Sequence, residues 1–166
     1  MIKFDFITGL NLPIGMALAE NPYSHELFLF VVNYGNNTVG KYDANTGKVI
    51  NASFITGLNQ PAELVVMPGS LLFPPFLFVS NYGNDTVGKY DANTGEAINA
   101  SFISNLNGPG GLTLLGNTLF VGNSTHSMRP GNNTIGTYDA TTGAMIKANF
   151  ITGELASFDL AVKSEK

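Results

Sequence analysis

The stretch "NYGNNTVGKYDANTG" at residues 33–47 recurs as "NYGNDTVGKYDANTG" at residues 81–95, with one substitution in fifteen positions. The phrase "FITG" keeps the same spacing, because its copies begin at Phe6, Phe54 and Phe150, which are one or two steps of 48 residues apart. Repetition at a period of this size is typical of folds in which each copy forms one supersecondary unit. The sequence therefore predicts a repeat protein.

The signals within each repeat are those of β-strands. Short apolar runs such as "LFLFVVN" and "FLFVSN" are separated by turns rich in Gly and Asn, and no segment has a helical period. We count four strands per unit and label them A to D from the inside outwards. Four-stranded units of about 40–50 residues are typical of β-propeller blades. The predicted fold is an all-β propeller of four-stranded antiparallel blades.

The phase of the repeat divides the chain, a single repeat domain over residues 1–166, into five parts. They are a D-type strand at 2–10, blades at 12–57, 60–105 and 108–153, and an A-type strand of a further blade at 158–163. The chain is thus predicted to carry about 3.5 blades, fewer than a closed propeller contains.

The blades resemble a known repeat family. The segments "LFVVNYGNNTVGKYD" and "LFVSNYGNDTVGKYD", preceded by "LPIGMAL" and "QPAELVV", are similar to the NHL and YVTN repeats of bacterial exported proteins. This resemblance implies a β-propeller and an extracytoplasmic or secreted location, but little about activity, because propellers have many functions. The opening residues lead directly into repeat sequence, so no signal peptide is predicted in the chain.

Composition disfavours several classes of function. The net charge is −4 and the eight basic residues are scattered, which argues against nucleic-acid binding. Cysteine is absent, which excludes disulfides and thiolate metal sites. No apolar run approaches the roughly 20 residues of a membrane helix, so membrane insertion is not expected.

A short arc of blades leaves its two end sheets without a neighbour. We therefore expect a homo-oligomer that associates through its open blade edges. Two alternatives stay open at this point: copies stacked head to tail without closing, and a chain that is a fragment of a longer propeller.

Binding sites of propellers usually lie where the D–A and B–C loops meet. That face is predicted to be rich in amides, which bind sugar hydroxyls, and in tyrosines, which stack on sugar rings. A lectin-like site for carbohydrate is therefore one interpretation, and a site for a protein ligand is a second. The third interpretation is that these residues only form hairpin turns. The candidate residues are Asn33, Tyr34, Asn36, Asn37, Glu63, Asn81, Tyr82, Asn84, Asp85, Asn123, His126, Arg129 and Asn132.

No catalytic or metal-binding set can be assigned from the sequence. His25 and His126 are isolated, and Glu63 is the one acidic residue expected near the tunnel. The "DANTG" motif at residues 43–47 lacks the further acidic ligands of a calcium loop and is interpreted as a turn. No cofactor is predicted, although a structural Ca²⁺ in the tunnel stays open as an alternative.

The function predicted from the sequence is a non-catalytic binding or scaffolding module. The alternatives are the carbohydrate-binding propeller and a metal-dependent lyase or lactonase, both of which are known among propellers. The sequence favours the absence of catalysis without deciding it.

Overall fold

The computed structural model describes residues 6–124 and 133–153, which form three four-stranded antiparallel sheets. Sheet 1 has the spatial order β1 (Pro13–Glu20), β2 (Leu27–Asn33), β3 (Thr38–Asp43) and β4 (Val49–Ile55). Sheet 2 has the order β5 (Pro61–Met67), β6 (Phe76–Asn81), β7 (Thr86–Asp91) and β8 (Ala97–Ile103). Sheet 3 has the order β9 (Pro109–Leu115), β10 (Thr118–Asn123), β11 (Thr134–Asp139) and β12 (Met145–Thr152). The all-β prediction is confirmed.

Each sheet is a meander in which strands that are neighbours in the chain pair with each other. The two central strands pair without a shift, from Phe28 opposite Asp43 to Asn33 opposite Thr38 in sheet 1. The innermost pair is irregular just after its first residue, Pro13. Proline is tolerated there because the first residue of a strand can lack an N–H without the loss of a ladder hydrogen bond.

Sheets 1 and 2 pack face to face. We call the face of sheet 2 that packs on sheet 1 its front face, and the face that packs on sheet 3 its rear face. The equivalent faces of sheets 1 and 3 take the same names. The apolar core between the two sheets combines the rear face of sheet 1 with the front face of sheet 2. Its buried members include Phe30, Val32, Val39, Phe54 and Ile55 from sheet 1, and Leu64, Leu77, Val79 and Tyr90 from sheet 2.

Sheets 2 and 3 repeat this arrangement. The rear face of sheet 2 contributes Phe78, Val87 and Ile103, and the front face of sheet 3 contributes Leu112, Leu119, Val121 and Tyr138. The innermost strands β1, β5 and β9 contact each other in that order. The result is a propeller-like stack in which every internal contact joins a rear face to a front face.

The turn between the third and fourth strands is built by an aspartate, as predicted. Asp43 Oδ1 accepts hydrogen bonds from the backbone N–H groups of Asn45 and Thr46 and from the hydroxyl of Thr46, at 2.7–3.0 Å. Asp91 and Asp139 accept the corresponding backbone bonds in the other sheets. The motif is therefore a structural turn in all three sheets.

The ends of the predicted repeat array are described only in part. Of the D-type strand predicted at 2–10, residues 6–10 are described and are not in strand conformation. The A-type strand predicted at 158–163 lies outside the described residues. Within the described ranges, no helix is long and apolar enough to cross a membrane.

Candidate functional site

The repeated "YGNN" and "YGND" loops are tight turns between the two central strands of a sheet. Tyr34–Asn36 and Tyr82–Asn84 each form one turn of 3₁₀ helix. Each turn ends in a residue with the left-handed backbone conformation, which is Asn37 with φ 57° in sheet 1 and Asp85 with φ 59° in sheet 2. Asn and Asp tolerate this conformation better than other residues with a Cβ. The turn interpretation of these loops agrees with the geometry.

The left-handed residues also connect neighbouring sheets. Asn37 Oδ1 accepts a hydrogen bond of 2.8 Å from the backbone N–H of Gln60, which precedes sheet 2. Asp85 Oδ1 accepts a bond of 2.8 Å from the N–H of Gly108, which precedes sheet 3. Two candidate ligand-binding residues therefore contribute to the contact between sheets.

The other asparagine side chains of this face are bonded within their own sheets. Asn33, Asn81 and Asn123 accept hydrogen bonds from backbone N–H groups of the loop that enters the sheet, at 3.0–3.3 Å. Asn36 and Asn84 each accept a bond of 2.9 Å from a threonine hydroxyl two residues later. These amide oxygens already have partners inside the fold.

The remaining members of the predicted face differ in accessibility. Tyr34 is exposed, whereas Tyr82 is partly buried, with its ring close to Gly108. His126, Arg129 and Asn132 lie outside the described residues. The structure thus brings the turns of sheets 1 and 2 to the same edge of the stack. Of the two tyrosines predicted to bind a ligand there, Tyr34 has the more exposed ring.

Glu63 lies on the innermost strand of sheet 2, as expected for a residue near the tunnel. Its Oε1 accepts a hydrogen bond of 2.9 Å from the N–H of Leu64. It lines an open cavity of about 350 Å³ between the three innermost strands, together with Met16, Leu18 and Leu112. The lining of the cavity combines these apolar side chains with Thr113 and the Glu63 carboxylate.

No metal centre is visible among the described residues, because no group of three His, Asp or Glu side chains comes together there. His25 lies on an exposed loop of sheet 1, with Nδ1 2.5 Å from Glu20 Oε1. An exposed pair of this kind contributes little to stability. The prediction about a calcium ion is neither supported nor tested by these observations.

Two buried lysines are the main feature that the sequence analysis missed. Lys41 Nζ donates a hydrogen bond of 3.0 Å to the carbonyl oxygen of Ala92, which directly follows β7 of sheet 2. The ammonium group lies 4.2, 4.8 and 5.5 Å from the ring centres of Phe28, Phe54 and Phe30. Burial lowers the pKa of Lys41, and Asp91 partly offsets this effect. We call this arrangement the lysine clasp.

Sheet 2 carries a second clasp on its rear face. Lys89 Nζ donates a bond of 3.1 Å to the carbonyl oxygen of Ala140 in sheet 3 and lies 4.4–5.4 Å from three phenylalanine rings. The sequence contained a signal for the aromatic half of each clasp, though not for its carbonyl partner. A lysine inside an apolar strand, opposite a strand that reads "FLF", indicates a buried cation against aromatic rings.

The rear face of sheet 3 lacks the clasp. Thr137, which lies opposite Phe120 as Lys89 lies opposite Phe78, takes the place of the lysine. A lysine is found instead on the neighbouring strand, where Lys147 lies opposite Thr137. The rear face that has no neighbour among the described residues therefore differs from the two that do.

The two end faces expose apolar side chains that are buried in the internal contacts. Met16 on the front of sheet 1 is 66% exposed, and Leu64, its counterpart in sheet 2, is 2% exposed. Ile151 on the rear of sheet 3 is 44% exposed, and Ile103, its counterpart in sheet 2, is 4% exposed. Strand register establishes both correspondences. These two faces form the candidate functional surface.

Neither a protein-family profile nor a curated protein matches the sequence. Among solved structures, the chain is similar to hydrazine synthase of Kuenenia stuttgartiensis, at 23% identity and a TM-score of 0.63, over 89% of this chain and 38% of that one. A glycoside hydrolase family 43 arabinoxylan arabinofuranohydrolase of Bacillus subtilis gives 16% identity and a TM-score of 0.42, over 87% and 37%. The chain spans less than two fifths of each. The first similarity concerns the fold alone.

Proposed function

We propose that the protein is a non-catalytic β-propeller module for binding or scaffolding that associates with a second copy of itself through its open sheet faces. In this proposal the three sheets are three of the about 3.5 blades that the 48-residue repeat predicts for the chain, and they form part of a larger propeller. The NHL- and YVTN-like pattern of the sequence also favours an extracytoplasmic location.

The exposure of the end faces carries the proposal. Met16 and Leu18 on the front of sheet 1 are exposed, although the corresponding positions of sheet 2 pack against a neighbouring sheet. Phe150 and Ile151 on the rear of sheet 3 are exposed in the same way. Within residues 6–124 and 133–153, these side chains therefore have no neighbouring sheet at positions where sheet 2 has one.

Hydrophobic burial makes a covered state favourable. A fully buried Met, Leu, Ile or Phe side chain contributes roughly 1.5–3 kcal/mol relative to the exposed state. Four such side chains are comparable with the whole stability of a small domain, roughly 5–15 kcal/mol. A partner that covers both faces would therefore change the stability of the module substantially.

A second copy is the partner that these faces fit. Each internal contact joins a rear face to a front face, and the described sheets leave one face of each type without a neighbouring sheet. Docking the rear of sheet 3 on the front of sheet 1 of a second copy repeats the packing of sheet 3 on sheet 2. Two such contacts close a ring around a two-fold axis.

The experiment compares aspartate substitutions on and off the end faces. Met16→Asp and Ile151→Asp each place a charge in the proposed contact, so sedimentation velocity should show weaker self-association than for the unmodified protein. Ile146→Asp is the matched control, because residue 146 is exposed, as are Ile50 and Ile98 in the sheets that have a neighbour behind them. Its exposure is therefore unrelated to an open end.

Equal association of all four proteins would contradict the proposed interface. A monomeric unmodified protein at every concentration would contradict self-association altogether. Catalysis that depends on Glu63 would contradict the non-catalytic role in favour of a lyase or lactonase. Binding of simple oligosaccharides would favour the carbohydrate-binding alternative over a scaffold.

A further inference from the structure

One four-residue segment occurs at three equivalent places and at both ends of the described fold. "FITG" is found at residues 6–9, 54–57 and 150–153. The first copy precedes sheet 1, the second ends sheet 1 and the third ends sheet 3. Identical segments are able to use the same binding groove.

The internal copy shows where this segment binds. The carbonyl oxygen of Phe54 lies directly against Gly95, so closely that a Cβ on Gly95 would collide with it. Gly95 has φ 79°, which a glycine adopts without strain. The end of sheet 1 is therefore held in a groove of sheet 2 that is open only because residue 95 lacks a side chain.

Residues 6–9 occupy the same groove on sheet 1. The carbonyl oxygen of Phe6 lies against Gly47, which has φ 72°, in the same collision geometry. The chain then follows the same path, since Asn11 N–H donates to Asn33 Oδ1 at 3.0 Å, as Asn59 N–H donates to Asn81 Oδ1 at 3.1 Å. We call residues 6–9 the cap segment.

A second copy that docks on sheet 1 needs this groove. In the packing of sheet 3 on sheet 2, the carbonyl oxygen of Phe102 lies against Gly143. If the rear face of sheet 3 repeats that packing on a second copy, its Phe150 must lie against Gly47 of that copy. The cap segment already fills the place.

We propose that the cap segment is an internal competitor that limits self-association, because residues 6–9 of one copy and residues 150–153 of another bind one groove. This inference rests on the proposed function and adds its regulation. The tethered cap has an effective concentration of order millimolar, so it occupies the groove in dilute solution. The incoming face also covers Met16 and Leu18, which the cap leaves exposed. The second copy therefore displaces the cap from the groove at high protein concentration.

The test is to weaken the cap and measure the dimerisation constant. Phe6→Ala removes the ring of the cap, and Ile7→Ala is a second variant in case the first disturbs folding. Because the apparent constant scales with the fraction of chains that have a free groove, either variant should dimerise more tightly, by about tenfold. Phe73→Ala is the control, since Phe73 is exposed on a loop between β5 and β6. Sedimentation equilibrium over a concentration series supplies the constants.

The outcomes separate the two proposals. Tighter dimerisation of the cap variants, with no change for Phe73→Ala, supports the competition. If the unmodified protein dimerises and the cap variants dimerise equally or more weakly, the cap inference is wrong and self-association stands. Weaker dimerisation would mean that the segment joins the incoming sheet rather than competing with it. If every variant stays monomeric, the proposed function fails and the cap inference fails with it.

Discussion

Lys89 Nζ donates a hydrogen bond to the carbonyl oxygen of Ala140 at 3.1 Å, across the contact between sheets 2 and 3. Lys41 makes the corresponding bond to Ala92 between sheets 1 and 2, at 3.0 Å. The two clasps mark the internal contacts, and the open rear face of sheet 3 carries Thr137 in their place.

Replacement of the clasp lysine should destabilise the fold. Lys89→Met keeps much of the aliphatic volume but leaves the Ala140 carbonyl without its donor, so we expect a loss of about 1–3 kcal/mol in the free energy of unfolding. Urea denaturation measures it. The exposed Lys147→Met should change stability by less than about 0.5 kcal/mol. Equal effects at the two positions would contradict a structural role for the clasp.

Completion of the clasp on sheet 3 should tighten self-association. Thr137→Lys places an ammonium group where Lys89 lies in sheet 2, within reach of the Ala44 carbonyl of a docked second copy. A hydrogen bond of this kind contributes about 1 kcal/mol, so the dimer dissociation constant should fall several-fold. Sedimentation equilibrium of both proteins provides the comparison. An unchanged constant would show that the rear of sheet 3 does not dock as the rear of sheet 2 does.

A side chain at Gly95 should disrupt the contact between sheets 1 and 2. Gly95→Ala drives a Cβ into the carbonyl oxygen of Phe54 and strains a residue with φ 79°, so we expect a loss of about 2–4 kcal/mol. Gly57→Ala is the matched control, because Gly57 has φ 73° but has no atom near the added Cβ.

The difference between these two alanine variants isolates the collision from the backbone strain. Thermal denaturation followed by circular dichroism measures both. If Gly57→Ala is as damaging as Gly95→Ala, the close approach of Phe54 does not hold the sheets together.

Acid should destabilise the turns that end β3 and β11. Hydrogen bonds from Thr46 lower the pKa of Asp43, with the hydroxyl as the main donor, and those from Thr142 lower the pKa of Asp139, with the backbone N–H first. Because the pKa of each carboxyl is lower in the folded state than its ordinary value of 3.8, ionisation stabilises the fold at a pH above 3.8. This stabilisation is lost as the pH falls through the folded-state pKa. The melting temperature should therefore decrease below about pH 4.

The variant that checks this effect is Asp43→Asn with Asp139→Asn. Asparagine can still accept the turn hydrogen bonds but does not titrate, so the double variant should lose less stability between about pH 6 and about pH 2. A decrease in melting temperature as steep as that of the unmodified protein would show that these carboxylates are not responsible.

The sequence predicted the strands well because repetition exposes them. The apolar "FLF" run and the Asp–Gly turn are local signals, and two copies of the first and three of the second reduce the ambiguity of a single one. The Asp43 turn and the left-handed Asn37 both follow from side-chain chemistry that acts within a few residues of the chain. Local rules were sufficient for these elements.

The contacts between sheets were harder to predict because their partners are far apart in the chain. Lys41 and Ala92 are separated by 51 residues, and nothing near Lys41 indicates that its ammonium group meets a carbonyl. The candidate binding residues illustrate the same limit. Asn37 and Asp85 look like free polar groups in sequence, but each bonds a backbone N–H of the next sheet.

The assignment of the loop asparagines to a ligand site remains a prediction. Their oxygens have partners within the fold. The end faces, by contrast, expose apolar side chains at positions that are buried in the internal sheet contacts. Met16 and Ile151 are the two positions at which this difference is clearest.

The most direct measurement is the absolute mass of the unmodified protein in solution, by light scattering over a dilution series. We predict a species of at least twice the 17.6 kDa of one chain, which dissociates on dilution. A folded particle of 17.6 kDa at every concentration, with Met16 and Ile151 open to solvent, would contradict this prediction.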